Sequence, residues 1–410
     1  MNRKTLIIIG ALLILLLIGV WSYLLFFADK QAAPGDTFAD LDLGDTTDGT
    51  VTDTETDGAG DGSTDTVIDS SSDKALRQLT TKHVAGYAEV TTGSSSPKVY
   101  FVEAGVGHVF ALDVESGTET RLSGTSVPGA EIAVIMPDGK HLVIETNEAG
   151  GKQTYIADLN ETESSLALTP IEGVVVSLHA TEDNELLFAE QTNSSVVGKA
   201  YNFAKKTTRT LFTIPFRDAM IDWGSTAKSI HYVYPKATRE LEGFLYKIEA
   251  GTLTRLPVDG FGLTAEGEGS TVLYAEQADA VFSSTLVYAT TTSPLSLPVL
   301  PEKCIFTSGA TRMLCARDTS TELTSSLPDS WYQGAISFAD SLWSINVADQ
   351  STDLLSNTLS ASGRALDITR LSLYKDDSRL YFQNKNDDSL WLLTLPDKLP
   401  TLAETNEQSL

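Results

Sequence analysis

Along most of the chain, apolar runs of a few residues alternate with polar turns. In "IMPDGKHLVIETN", residues 135–147, an apolar run stops at Pro137, Asp138 and Gly139. A second run leaves the turn with Leu142 and Ile144 alternating against His141, Val143 and Glu145. A period of two on both sides of a tight turn predicts a pair of antiparallel strands.

The same unit recurs. Polar turns feeding an apolar strand occur at "SSPKVYF", "PDGKHLVI", "EDNELLFA", "STAKSIHYV", "GEGSTVLYA", "SGATRMLCA" and "KDDSRLYF", with successive steps of 42, 45, 43, 42, 41 and 67 residues. Each is followed by a second run such as "HVFALDV" or "SLWLLTL", and most by a further short strand such as "TRLS" or "TRLP". Another apolar run, for example "AEIAVIM" or "VVVSLHA", comes before each turn. Four short strands in about 43 residues, rich in β-branched and aromatic side chains, predict an all-β fold, a seven-bladed β-propeller with four-stranded blades. The seventh copy lacks its last strand, because "DKLPTLAETNEQSL" carries Pro400 and polar residues unsuited to a ladder. The stretch "LRQLTT" near the start matches the closing strands, so pairing the two chain ends would close the ring and cover its open edges.

The segment "MPDGKHLVIE" resembles the Ser-Pro-Asp-Gly-Lys turn of WD40-like propeller repeats of the TolB type, with Met136 where that turn carries Ser. The resemblance implies the propeller fold over residues 74–396 and carries no catalytic or binding residue with it.

The 67-residue step departs from the repeat. Removing residues 317–340 leaves the regular spacing, which places an insertion between the second and third strands of the sixth copy. It holds Trp331 and Tyr332 beside Pro328 and Asp329. Aromatic anchors on a loop favour recognition, so Trp331, Tyr332 and Asp329 are candidate binding residues, with Trp331 packed on the blade or in the central channel as the alternative. The sixth copy also holds both cysteines. If Gly309 and Ala310 form a two-residue turn, Cys304 faces Cys315 at disulfide range. Closing that short loop would add about 2 to 3 kcal/mol. A zinc site is not indicated, since no Cys or His pair lies nearby to complete four ligands.

Residues 6–27 carry no charge, and as a helix they would span about 33 Å, enough for a bilayer core. Arg3 and Lys4 precede them, so the positive-inside rule puts residues 1–5 in the cytoplasm and the rest outside. A cleavable signal peptide is the alternative to a retained anchor; its apolar region is normally about 7 to 15 residues and ends at a small-residue site, and "FFADKQAAPG" is a poor one. Residues 28–73 read as a disordered acidic linker rich in Thr, Gly and Ser, with 12 acidic and no basic residues across 36–73. Within it Asp53, Glu55, Asp57, Gly58 and Asp61 follow a calcium-loop spacing, but Thr64 stands where the bidentate Glu belongs, and a solvated linker is the reading adopted. Residues 397–410 read as a C-terminal tail.

The net charge of -26, from 55 acidic and 29 basic residues, excludes a nucleic-acid partner. No Gly-x-Ser-x-Gly elbow, His-Glu-x-x-His or phosphate loop occurs, so no catalytic residue, cofactor or metal is assigned. Asp138, Asp183 and Asp377 fall in turns, where side-chain oxygens cap backbone amides. The sequence therefore predicts a membrane-tethered extracytoplasmic propeller that binds a protein, peptide or glycan. The alternative is a channel-site enzyme, a glycan or peptide hydrolase or lyase.

Overall fold

The computed structural model describes residues 75–90, 96–148, 150–278, 281–323, 326–374 and 376–396. The expected membrane anchor, acidic linker, calcium-like stretch and C-terminal tail lie outside the described residues, among which no helix is long and apolar enough to cross a membrane.

The described residues are mostly strand. β1 (Leu76–Thr80) is followed by a sheet of β2 (Val84–Val90), β3 (Lys98–Glu103), β4 (Val109–Asp113) and β5 (Glu119–Ser123). Next come β6 (Ala130–Ile135), β7 (His141–Glu148), β8 (Gly151–Asn160) and β9 (Ser165–Ile171), then β10 (Val174–Ala180), β11 (Glu185–Gln191), β12 (Val196–Asn202) and β13 (Thr207–Ile214). A seven-stranded sheet contains β14 (Ala219–Asp222), β15 (His231–Pro235), β16 (Glu242–Glu249), β17 (Thr252–Glu268), β18 (Thr271–Ala278), β19 (Val281–Tyr288) and β20 (Thr291–Pro294). β21 (Cys304–Phe306), β22 (Arg312–Arg317), β23 (Ser341–Asn346) and β24 (Thr352–Ser356) form the next sheet. The last has β25 (Ile368–Leu373), β26 (Arg379–Asn384) and β27 (Leu390–Thr394), with β1 as its fourth strand. The first and last described strands thus meet as the repeat requires: β1 runs antiparallel to β27, Leu76 opposite Leu393 and Gln78 opposite Trp391.

β17 explains the long sheet. Its first part, to Phe261, pairs with β16, and from Phe261 onward it pairs with β18. The change of partner falls where the register shifts between Phe261 and Thr264, at Gly262, whose φ of 62° favours glycine. One 17-residue strand is the last of one unit and the first of the next.

The first strands of successive units touch in order: β2 with β6, β6 with β10, β14 with β17, β17 with β21 and β21 with β25. Two side chains complete the series. The Trp223 indole, just past β14, donates to Ser177 Oγ of β10 at 2.8 Å, and Arg370 Nη1 of β25 donates to Ala85 O of β2 at 2.8 Å. The approach between β2 and β6 is close enough to require glycine, since a Cβ on Gly86 would lie 1.8 Å from Ala133 O.

Alternation along the second strands does not separate core from solvent, as the pattern at residues 141–145 suggests. Leu142, Val143 and Ile144 are all 0% exposed, because both faces of the sheet are covered. The period of two instead selects the neighbour. Leu142 and Ile144 pack with Tyr100 and Val102 of the sheet before, and Val143 packs with Leu186 and Phe188 of the sheet after. β3 does the same, with Tyr100 and Val102 on one side and Val99 and Phe101 against Tyr381 and Leu392 on the other. Each such side chain contributes about 1.5 to 3 kcal/mol by leaving water, and both faces of every second strand share in it.

Candidate functional site

Each sheet is antiparallel in chain order, so the links from second to third strand and from one unit to the next emerge at the same end. The insertion links β22 to β23 and lies at that end. It contains one helical turn, α1 (Asp329–Tyr332).

A buried charge cluster fixes the insertion. Lys303 stands just before β21 and is 2% exposed. Its Nζ donates to Asp340 Oδ2 at 2.5 Å, to Asp367 Oδ1 at 2.6 Å and to Ile368 O at 3.0 Å. The same ammonium lies 5.0 Å from the Trp331 ring centroid and 4.9 Å from that of Phe338. Three donors are thereby matched to two carboxylates and a carbonyl, with aromatic faces filling the remaining directions. Burial pushes the Asp340 carboxyl upward against the pull of Lys303.

Trp331 belongs to this cluster: of its two readings, packing on the fold holds, and as a solvent-facing binding anchor it is ruled out. It is 4% exposed, packs with Phe282, Leu300, Leu327 and Phe338, and donates its indole N–H to both Asp367 oxygens at 3.0 and 3.1 Å. Lys385 Nζ caps its carbonyl at 2.5 Å and lies 5.0 Å from its ring. A large ring with one N–H is best placed where that donor meets a desolvated carboxylate, and Asp367 supplies it.

Tyr332 and Asp329 remain at the surface. The Tyr332 ring is 38% exposed and its hydroxyl donates to Glu302 Oε1. Asp329 Oδ2 accepts the Arg239 backbone N–H at 2.6 Å, which ties α1 to the β15–β16 loop. Pro328 presses on Gly262, where a Cβ would come within 3.0 Å of it and 3.7 Å of Arg239 Cα. Leu241 (65% exposed) and Phe261 (47%) stand on the two segments the insertion touches.

Cys304 and Cys315 pair directly across β21 and β22 and are joined as a disulfide, buried against Met313 and Ile345. The turn between them is not the expected two-residue one. Thr307 and Arg312 close a four-residue loop, with Thr307 N donating to Arg312 O at 2.9 Å, and both turns give the same register. Asp138 fills its expected role, its Oδ1 accepting the amides of Lys140 and His141 at 2.8 and 3.2 Å. Asp377 instead accepts the Ser308 amide of the neighbouring sheet at 3.1 Å.

A row of carboxylates that carries no motif lies on one side of the ring. Thr264, Glu266 and Glu268 share a face of β17, opposite Leu263 and Ala265. Burial lifts Glu266 well above the usual carboxylate range, with Asp222, Glu302 and Glu268 adding repulsion. Asp222 is pushed up to about 8, by burial first, although it accepts the Gly267 N–H at 2.6 Å. Glu302 rises by burial despite the Tyr332 hydroxyl, and Glu268 by burial with the charge of Glu182 behind it. His179 and His231 are pushed down to about 4 by burial and stay neutral near pH 7. Among the described residues no group of three or more His, Cys, Asp or Glu is placed to hold a metal ion. The sequence signal for this row was an acidic alternation in a strand whose counterpart, β6, presents Ile132 and Val134.

No family model and no curated protein matches the chain. Solved structures do resemble it. An oligogalacturonate lyase in complex with manganese aligns with a TM-score of 0.52 at 12% identity, over 78% of this chain and 93% of that one. A second oligogalacturonate lyase, from Vibrio parahaemolyticus, gives 0.52 at 11% over 78% and 94%. The Cps50 (Swd1) β-propeller domain of Myceliophteria thermophila gives 0.51 at 9% over 78% and 100%. At these identities the likeness concerns the fold alone, and the fold is that of the β-propeller proteins.

Two predictions follow from the buried charges. Lys303→Met leaves two carboxylates buried without a cation, so it should lower unfolding stability by about 3 to 5 kcal/mol, and adding Asp340→Asn should recover part of that. Denaturant titration of the two variants checks this, and an unchanged midpoint for Lys303→Met would contradict it. Asp222 keeps in the fold a proton that the unfolded chain releases above about pH 4, so its contribution is full below that pH and lost as pH rises to about 8. Asp222→Asn should therefore raise the melting temperature more at pH 8 than at pH 5, and equal shifts at both would refute the raised value.

Proposed function

We propose that the protein is a seven-bladed propeller that binds a protein, peptide or glycan partner, held at the extracytoplasmic face of a membrane by residues 6–27 with its N-terminus in the cytoplasm. The blade count rests on reading β17 as the outer strand of a fourth blade and the inner strand of a fifth, with β1 completing the seventh. The location rests on the apolar length of residues 6–27, on Arg3 and Lys4, and on the disulfide, which belongs to an oxidising compartment.

The observation that carries the binding reading is the contrast between the two faces of the insertion. Its inner face is held by Lys303, Asp340, Asp367 and Trp331, all nearly closed to solvent. Its outer face leaves Tyr332 exposed beside segments bearing Leu241 and Phe261. Exposed aromatic and aliphatic side chains on a rigid loop lose little entropy when a partner covers them, the usual condition for an anchoring contact. A hydrolase or lyase working in the channel is the second reading, and its support is Asp222, whose proton affinity near neutral pH suits a general acid.

Two experiments on the full chain in membranes test the proposal. Protease added outside intact spheroplasts should digest the propeller, and protection until lysis would exclude the orientation. A photocrosslinking residue at position 332 should give a discrete adduct that is lost on Leu241→Asp with Phe261→Asp, while the melting temperature stays unchanged. An adduct insensitive to both changes would remove this face from the account.

A further inference from the structure

A concavity opens at the same end of the ring, in the sector where the last, first and second sheets meet, away from the insertion. It is an open depression of about 470 Å³, on the order of fifteen waters. Ala104, Gly105, Gly129 and Ala130 line part of it. Small side chains and turning backbone keep it open: Gly105 and Gly129 have φ of 79° and 70°. Their amides are already used, Gly105 N donating to Ala130 O and Gly129 N to Gly105 O, both at 2.8 Å. Recognition there falls to the rim.

The rim carries Arg370, Glu131, Asp388 and Asn147, all exposed. Arg370 comes from a register shift in β25 and takes φ of 50°, a left-handed conformation that is strained for a non-glycine residue. The strained backbone is held by its neighbours: the Tyr87 hydroxyl donates to Arg370 O, and Arg370 Nη1 donates to Ala85 O at 2.8 Å. Asp388 also has a left-handed φ of 50°, and His83 Nδ1 lies 3.8 Å from its carboxylate. One guanidinium therefore lines the cavity with two carboxylates, and Lys152, which is ion-paired to Glu145, stands near enough to Glu131 to feel its charge. A bare anion would meet Glu131 and Asp388 as well as Arg370, and a bare cation would meet Arg370. A ligand with both charges satisfies the two sides together, and the Asn147 amide can pair with a peptide group between them.

We propose that this pocket binds a small zwitterion, a short peptide with free ends, its carboxylate on Arg370 and its ammonium between Glu131 and Asp388. The test uses triglycine with the full-length protein in detergent micelles, followed by calorimetry or ligand-observed resonance, beside its N-acetyl and C-amide derivatives. Triglycine should bind with a Kd of about 1 mM, and each blocked form about tenfold more weakly. Arg370→Gly suits the left-handed backbone but gives up the bond to Ala85 O, so its fold is confirmed by its melting transition; the folded variant should abolish the difference between free and amidated peptide. Glu131→Gln should abolish the difference between free and acetylated peptide and leaves the strand pairing untouched. The proposal is overturned if the folded wild type does not bind triglycine, if blocked and free forms bind alike, or if maltotriose binds more tightly than triglycine.

Discussion

The pairing of β1 with β27 is the contact on which the rest depends. It joins residues more than three hundred positions apart and gives the last sheet its fourth strand. Without it β27 would present an unpaired edge, and Leu76, which packs with Leu380, Leu393 and Trp391, would lose its place. Every second strand is buried on both faces only because a sheet lies on either side of it, so a ring that opened at this seam would expose strands that have no polar face to offer water. Closure also joins the last sheet to the first, where Gln383 Nε2 donates to Val84 O, Arg370 reaches Ala85 O, and Arg379 meets Glu89 at 2.8 Å.

At the other side of the ring the insertion uses a different kind of bond. Burying Lys303 with two aspartates costs desolvation that a hydrophobic cluster would not, and its return is direction: an ammonium with fixed acceptors sets the loop in one position. That position turns Trp331 inward and Tyr332 outward. The carboxylates of Asp222, Glu266, Glu268 and Glu302 have no such cation among them apart from Lys303 near Glu302, which is why burial and mutual repulsion raise them.

The repeat spacing, the pairing of the two ends and the opposition of Cys304 to Cys315 were legible because each depends on local periodicity or on counting residues across a turn. The double duty of β17 was not: a strand that changes partner at Gly262 looks like two strands separated by a loop. Adjacent aromatics at 331 and 332 offered no way to tell inside from outside, since the choice is made by Asp367 and Lys303, which are distant in sequence. The calcium-like spacing and the anchor lie outside the described residues, and the left-handed backbone at Arg370 left no trace, because nothing in "ITRLSLY" distinguishes that position from an ordinary strand residue.

Hydrogen exchange on the full chain tests ring closure most directly. If β1 is an integral strand of the last sheet, the amides of Leu76–Thr80 should exchange as slowly as those of Leu390–Thr394 and be released with them in one opening event. Fast exchange across Leu76–Thr80 while β26 and β27 stay protected would show that the seam is open and that the ring does not depend on it.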